Sequence, residues 1–233
     1  MNETIMKKII LTTFILIGYL SYSQSWDFEK PDYNKIEKNI KNIKSNLFYE
    51  SLMNRFLKAD SIMTLSEKRH LYYGYTFGEN YSPYFRSDFG DSLRVVLRKE
   101  KLDSSDFNRI VDFTDKMLSE NPFDLYAMNY QLYSLEQIGN KESFDKRLIQ
   151  FRIIVDALMS SGNGKSKKEA FYVIFTSHEY ELLSILGFQF GGSQSLIEHY
   201  DYLTLAENEA ELEGLYFDVS PCLNSISKMF KNK

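Results

Sequence analysis

The side chains best suited to chemistry are few: three histidines, His70, His178 and His199, one cysteine, Cys222, and acids beside two of those histidines. His178-Glu179 begins like a zinc-protease motif, which needs a second histidine four positions on so that both imidazoles share one helix face. Leu182 stands there instead. His199, which follows Glu198, would meet His178 only across two strands. That pairing would make a two-histidine, carboxylate site with His70 as a further acid or base. The spacing does not demand it, and a hydrogen-bonded structural role accounts for each imidazole. No catalytic residue, metal ligand or cofactor is assigned on these grounds.

Cys222 follows Ser220-Pro221 at the expected start of the last helix, with no base signalled nearby, and reads as a small semi-buried residue. As the sole cysteine it can form no intramolecular disulfide. Gly164-Lys165-Ser166 imitates the end of a phosphate-binding loop, but Met159 stands where that loop's first glycine belongs and a helix precedes it. The amide cradle cannot form without those parts. Glu209, Glu211 and Glu213 fall in a loop and read as hydrated acids.

The most distinctive stretch is Arg69-His70-Leu71-Tyr72-Tyr73-Gly74-Tyr75-Thr76-Phe77, followed by Tyr81-Ser82-Pro83-Tyr84-Phe85. Tyrosine joins a large apolar body to a polar tip, a combination that suits recognition surfaces. Tyr72, Tyr73, Tyr75, Tyr81 and Tyr84 are therefore the candidate binding residues. The alternative is that Leu71, Tyr72 and Tyr75 pack on the preceding helices with their hydroxyls bonded at the rim.

These residues must be positioned by two kinds of element. After Pro31, Ile36, Ile40, Ile43 and Leu47 share one helical face; Thr64 to Glu67 has capping-box spacing before a third helix. From Asp103, Phe107, Ile110, Thr114, Met117 and Leu118 repeat at helical spacing, Asn121-Pro122 announces another helix, and Gly139 stops it. The helices on either side of Gly139 look like one tetratricopeptide-type unit, and an ordinary bundle fits equally well. Past Gly162-Asn163-Gly164-Lys165, the runs at 171–175, 195–205 and 215–219 read as strands, with Gly191-Gly192 as a turn. No helix-length crossover is expected between them, so they should pair antiparallel. The fold expected is α+β: a helical layer over 24–161, then a small antiparallel β region with a C-terminal helix over 162–233, docked as one compact unit because so small a sheet cannot bury a core alone. Leu223, Ile226 and Phe230 should pack that last helix onto the sheet.

Lys7 and Lys8 precede an uncharged run from Ile9 to Leu20, and Ser21-Tyr22-Ser23 closes it. That is the charged, apolar and small-residue order of a signal peptide, cleaved near Ser23-Gln24. The run is short of the roughly 20 residues that cross a membrane, so no transmembrane anchor is expected in the mature chain. The whole chain carries a formal charge of −4 and no basic stripe, which argues against nucleic acid.

The chain resembles a family of exported bacterial proteins known as domain of unknown function 4919. The likeness rests on the leader, on Leu71-Tyr72-Tyr73-Gly74-Tyr75 with Tyr81-Ser82-Pro83-Tyr84, on Gly162-Asn163-Gly164-Lys165-Ser166 leading to Ala170-Phe171, on His178-Glu179-Tyr180, and on Tyr216-Phe217-Asp218-Val219 before Lys228-Met229-Phe230. The resemblance implies an exported, cofactor-free protein and transfers no catalytic residue. Two functions are expected from the whole: an exported, non-enzymatic binding or scaffold protein with a protein or peptide partner in the cell envelope, or an envelope hydrolase acting on a polymer through His178, Glu179 and His199.

Overall fold

The computed structural model describes residues 28–79 and 81–231, with side chains through Ser225. The expected leader and the side chains of Ile226 and Phe230 lie outside the described residues. The protein is α+β, with nine helices and one four-stranded mixed sheet among those residues.

Helix α1, Tyr33–Ile40, starts where the Asp32 carboxylate accepts from the Lys35 amide, and buries Ile36 and Ile40. Helix α2, Tyr49–Leu57, buries Leu52 and Phe56. Helix α3, Leu65–Gly74, opens on the capping box expected from the sequence, with the Thr64 amide donating to Glu67 Oε2 at 2.7 Å. It runs into a 3-10 turn, Tyr75–Phe77. Helix α4, Phe89–Leu97, had no place in the sequence expectation. Helix α5, Ser104–Glu120, begins at a second capping box, Asp103 with Asp106. Helix α6, Leu125–Gln137, is capped by Asp124 and not by Asn121-Pro122; Asn121 Oδ1 accepts from the Phe123 amide, which turns the chain first. Gly139, at φ 73, ends α6 as expected before α7, Lys141–Met159.

Strand β1 is only Phe171–Tyr172, and the apolar run after it turns into helix α8, Ser177–Ile185. Strands β2, Phe190–Ile197, and β3, Tyr200–Leu205, form a hairpin that turns at Glu198, whose φ is 64. The run 195–205 is thus folded in two, and Gly191-Gly192 lies inside β2 beside a register shift. Strand β4, Gly214–Asp218, leads into helix α9, Ser220–Lys231. The order is β1-β4-β3-β2. Antiparallel pairing holds for β2 with β3 and β3 with β4, but β1 pairs parallel with β4. The reason is the unexpected helix: α8 and the hairpin together supply the crossover that parallel strands require.

Gly162 to Glu169 closes a loop on itself, the Asn163 and Gly164 amides both donating to the Glu169 carbonyl at 2.9 and 2.8 Å. The Gly164 carbonyl accepts from the Tyr216 amide. The Asn163 and Gly164 amides are thus spent on the fold and not free to cradle a phosphate.

The chain divides into two compact units, one of Phe85–Arg152 and one of the described residues within Gln24–Tyr84 and Ile153–Lys233. The division falls between Tyr84 and Phe85 and, inside α7, between Arg152 and Ile153. In the first, all-helical unit, Gln131 Nε2 donates to Thr114 Oγ1 and Asp115 Oδ1 while its carbonyl accepts from Arg147 Nε, tying α5, α6 and α7 through one buried amide. The second unit holds the sheet. Leu203, Leu215, Phe217 and Phe171 are buried there, as are Leu71, Tyr72 and Tyr73 of α3.

Candidate functional site

Every residue of the candidate site belongs to the sheet unit. A cleft of about 540 Å³ is lined by α1, the segment after α3 and the start of α9. Tyr33 and Glu37 lie one turn apart on α1 and so share a face. Thr76, Phe77, Gly78 and Glu79 supply a second wall with Tyr81; Ser220, Pro221, Asn224 and Ser225 supply the third. The Tyr33 ring meets Tyr73 edge-on at 6.0 Å and Phe77 at 6.4 Å. Its hydroxyl is buried and has no hydrogen-bond partner, and burial holds the phenol well above its ordinary range. A buried hydroxyl left unpaired costs about 1–3 kcal/mol, so Tyr33 is where the fold has left polar capacity unused. Tyr81 is different: its hydroxyl donates to the Ile174 carbonyl at 2.5 Å.

Behind Tyr81 lies a group of buried polar side chains. The Cys222 thiol is fully buried, and burial pushes it up to about 12, with the Tyr81 hydroxyl acting in the opposite sense. It is a neutral thiol at physiological pH and no nucleophile. Glu179 is 0 % exposed, and neither carboxyl oxygen has a hydrogen bond of ordinary geometry. Burial raises it to about 9, helped by the charge of Asp201, so it is a protonated acid at neutral pH. Asp201 Oδ2 accepts from Gln194 Nε2 at 2.8 Å, and Gln194 Oε1 accepts from the Tyr180 hydroxyl at 2.5 Å.

The three histidines and Glu179, expected as an alternative polar site, take separate partners. His70 Nδ1 donates to the Ser66 carbonyl at 2.7 Å, because a carbonyl can only accept, and its Nε2 therefore accepts from Asn39 at 3.0 Å. Burial lowers its pKa, so it is a neutral structural imidazole. His178 stands on α8, not on a strand, and is bonded through Nδ1 to the Tyr72 hydroxyl at 2.7 Å. The Ile174 amide donates to that same hydroxyl at 3.3 Å. His199 Nε2 sits 3.4 Å from Asp218 Oδ2. Among the described residues no group of three or more His, Cys, Asp or Glu could hold a metal ion.

The five tyrosines expected to bind are also divided. Tyr72 and Tyr73 are fully buried, which corrects their place from surface to core: the two rings meet edge-on at 5.0 Å, and the Tyr73 hydroxyl donates to the Ala157 carbonyl. Tyr75 and Tyr81 are half-buried, and Tyr84 is 49 % exposed. Of the five, Tyr81 alone is among the residues lining the cleft. Sequence reasoning missed Tyr33, Glu37 and the α9 residues, whose only signal was the helical spacing of Tyr33 and Glu37. It also missed Asp201, although the alternation that buries Leu203 places it on the same face.

The fold and the site together define an α+β protein with a tyrosine-walled cleft set beside a sealed pair of acids. The family described as Domain of unknown function (DUF4919) matches residues 34–228, and the chain belongs to that family. No curated protein and no solved structure matches it. No described helix is long and apolar enough to cross a membrane.

Proposed function

We propose that the protein is a non-enzymatic binding protein that takes a small molecule, or one side chain of a peptide partner, into the cleft walled by Tyr33, Phe77 and Tyr81. The observation that carries this reading is the cleft itself, a concavity of about 540 Å³ with aromatic walls and a few polar groups, among them Glu37, Thr76, Glu79 and Asn224. The order of charged, apolar and small residues over 1–23 supports export, which would place that binding outside the cytoplasm. A catalytic reading draws on one feature, the protonated Glu179 beside Asp201, whose raised pKa suits a general acid. Glu179 is sealed from solvent, however, and a group no substrate touches cannot transfer a proton to it.

The test is a thermal-shift screen of small metabolites and short peptides on the wild type and on Asn224→Trp, which fills the cleft from its α9 wall. Compounds that raise the melting temperature of the wild type and not of the variant support the reading. A screen silent on the wild type, or hits indifferent to the filled cleft, would overturn it.

A further inference from the structure

We infer that the cleft receives an organic cation, an ammonium or guanidinium group carried on an apolar body, with the charge held between Glu37 and Glu79 and the body against Tyr33, Phe77 and Tyr81. This rests on the binding reading above and goes further by fixing the chemistry of the ligand.

The charge of the lining is the first argument. Among the described residues that line the cleft, two are carboxylates and none is Lys, Arg or His. Glu79 makes no ion pair among the described residues, and Glu37 is held only by Lys41, one turn away on the surface. An exposed pair of that kind is screened and weak, so an incoming cation displaces it readily. Two like charges on one cleft favour cations over anions there.

The aromatic walls give the second argument. Aromatic faces carry negative potential and attract cations. Elsewhere in the sheet unit the fold uses this with its own side chains: Arg69 stands over Tyr73 at 5.6 Å, Lys30 over Tyr172 at 6.0 Å and Lys167 over Tyr200 at 5.7 Å. Over Tyr33, Phe77 and Tyr81 no described cation stands. Among the described residues, the cleft thus offers rings and carboxylates without a cation of the kind that stands over Tyr73, Tyr172 and Tyr200.

The start of α9 also lines the cleft, and a helix N-terminus by itself favours anions. Here that attraction is already met, because Asp218 Oδ1 accepts from the Ser220 amide at 3.0 Å. No second anion is called for.

The test is calorimetric titration of the full chain with choline, spermidine and Nα-acetyl-lysine methylamide, against 3,3-dimethylbutan-1-ol, the uncharged isostere of choline, and inorganic phosphate. The lysine derivative separates a peptide side chain from a free amine as the source of the charge. At least one cation should bind, with the isostere and phosphate weaker by about tenfold or more. Glu37→Gln combined with Glu79→Gln, both near-surface changes expected to move the melting temperature little, should weaken the cation by about tenfold and leave the isostere unchanged. Added salt should weaken the cation alone. Failure of all three cations, or equal affinity for choline and its isostere, overturns the inference. If neutral or anionic compounds from the metabolite screen bind and are lost in Asn224→Trp, the binding reading stands and the cationic ligand falls.

Discussion

Glu179 and Asp201 lie 22 positions apart on α8 and β3, yet the fold brings the two acids together and lets only Asp201 find a donor, the Gln194 amide at 2.8 Å. Glu179 keeps its proton because burial and the Asp201 charge both oppose ionisation, lifting it to about 9. In the unfolded chain the same carboxyl titrates at 4.5. Between those values the folded state holds a proton that the unfolded state has released, so this group's contribution is complete below pH 4.5 and is lost as pH rises towards 9.

Glu179→Gln removes that loss. The variant should be more stable than the wild type by about 1–3 kcal/mol near pH 8.5 and gain much less near pH 5. Urea denaturation at the two pH values measures the difference. A gain independent of pH would show that Glu179 is ionised in the native protein.

Cys222 gives a clean thiol readout because it is the sole cysteine of the chain. Sealed, and raised to about 12 chiefly by burial, it should react with a disulfide reagent at about pH 8 only slowly when native and fast in denaturant. Rapid native labelling would contradict its placement behind Tyr81.

Tyr73 and Tyr84 belong to the same aromatic segment and should respond in opposite ways. Tyr73→Ala empties a fully buried ring site and should cost about 3–5 kcal/mol. Tyr84→Ala, at an exposed position, should change stability by no more than about 0.5–1 kcal/mol. Equal effects in chemical denaturation would refute the division of this segment into core and surface.

Gly164 and Gly139 both have positive φ, 74 and 73. A Cβ at Gly164 would stand 2.7 Å from the Phe171 ring, whereas at Gly139 it meets open space. Gly139→Ala should therefore cost about 1 kcal/mol for the left-handed backbone alone, and Gly164→Ala about 2 kcal/mol or more. Melting curves of the two variants compare them directly.

Some of this architecture was legible in the residues. The Thr64–Glu67 capping box, the span of α5 from its Asp103 cap, and the stop at Gly139 follow from contacts between residues three to five positions apart, which spacing reports directly. The leader, by contrast, is an expectation that falls on residues outside the described structure.

Sequence alone also supplied the class, α+β, the family, and the aromatic segment as the place to look. Tertiary structure decided everything that depends on who covers whom. The run after Phe171 is apolar enough for a strand or a helix, and its packing made it turn into α8, which forced β1 and β4 to run parallel. Tyr72 and Tyr84 are the same residue type twelve positions apart, and only the packed neighbours make one core and the other surface. The cleft draws on α1, the segment after α3 and α9, which begin nearly two hundred positions apart at the extremes. Local spacing cannot encode such a meeting, because burial is a property of distant segments closing on one another.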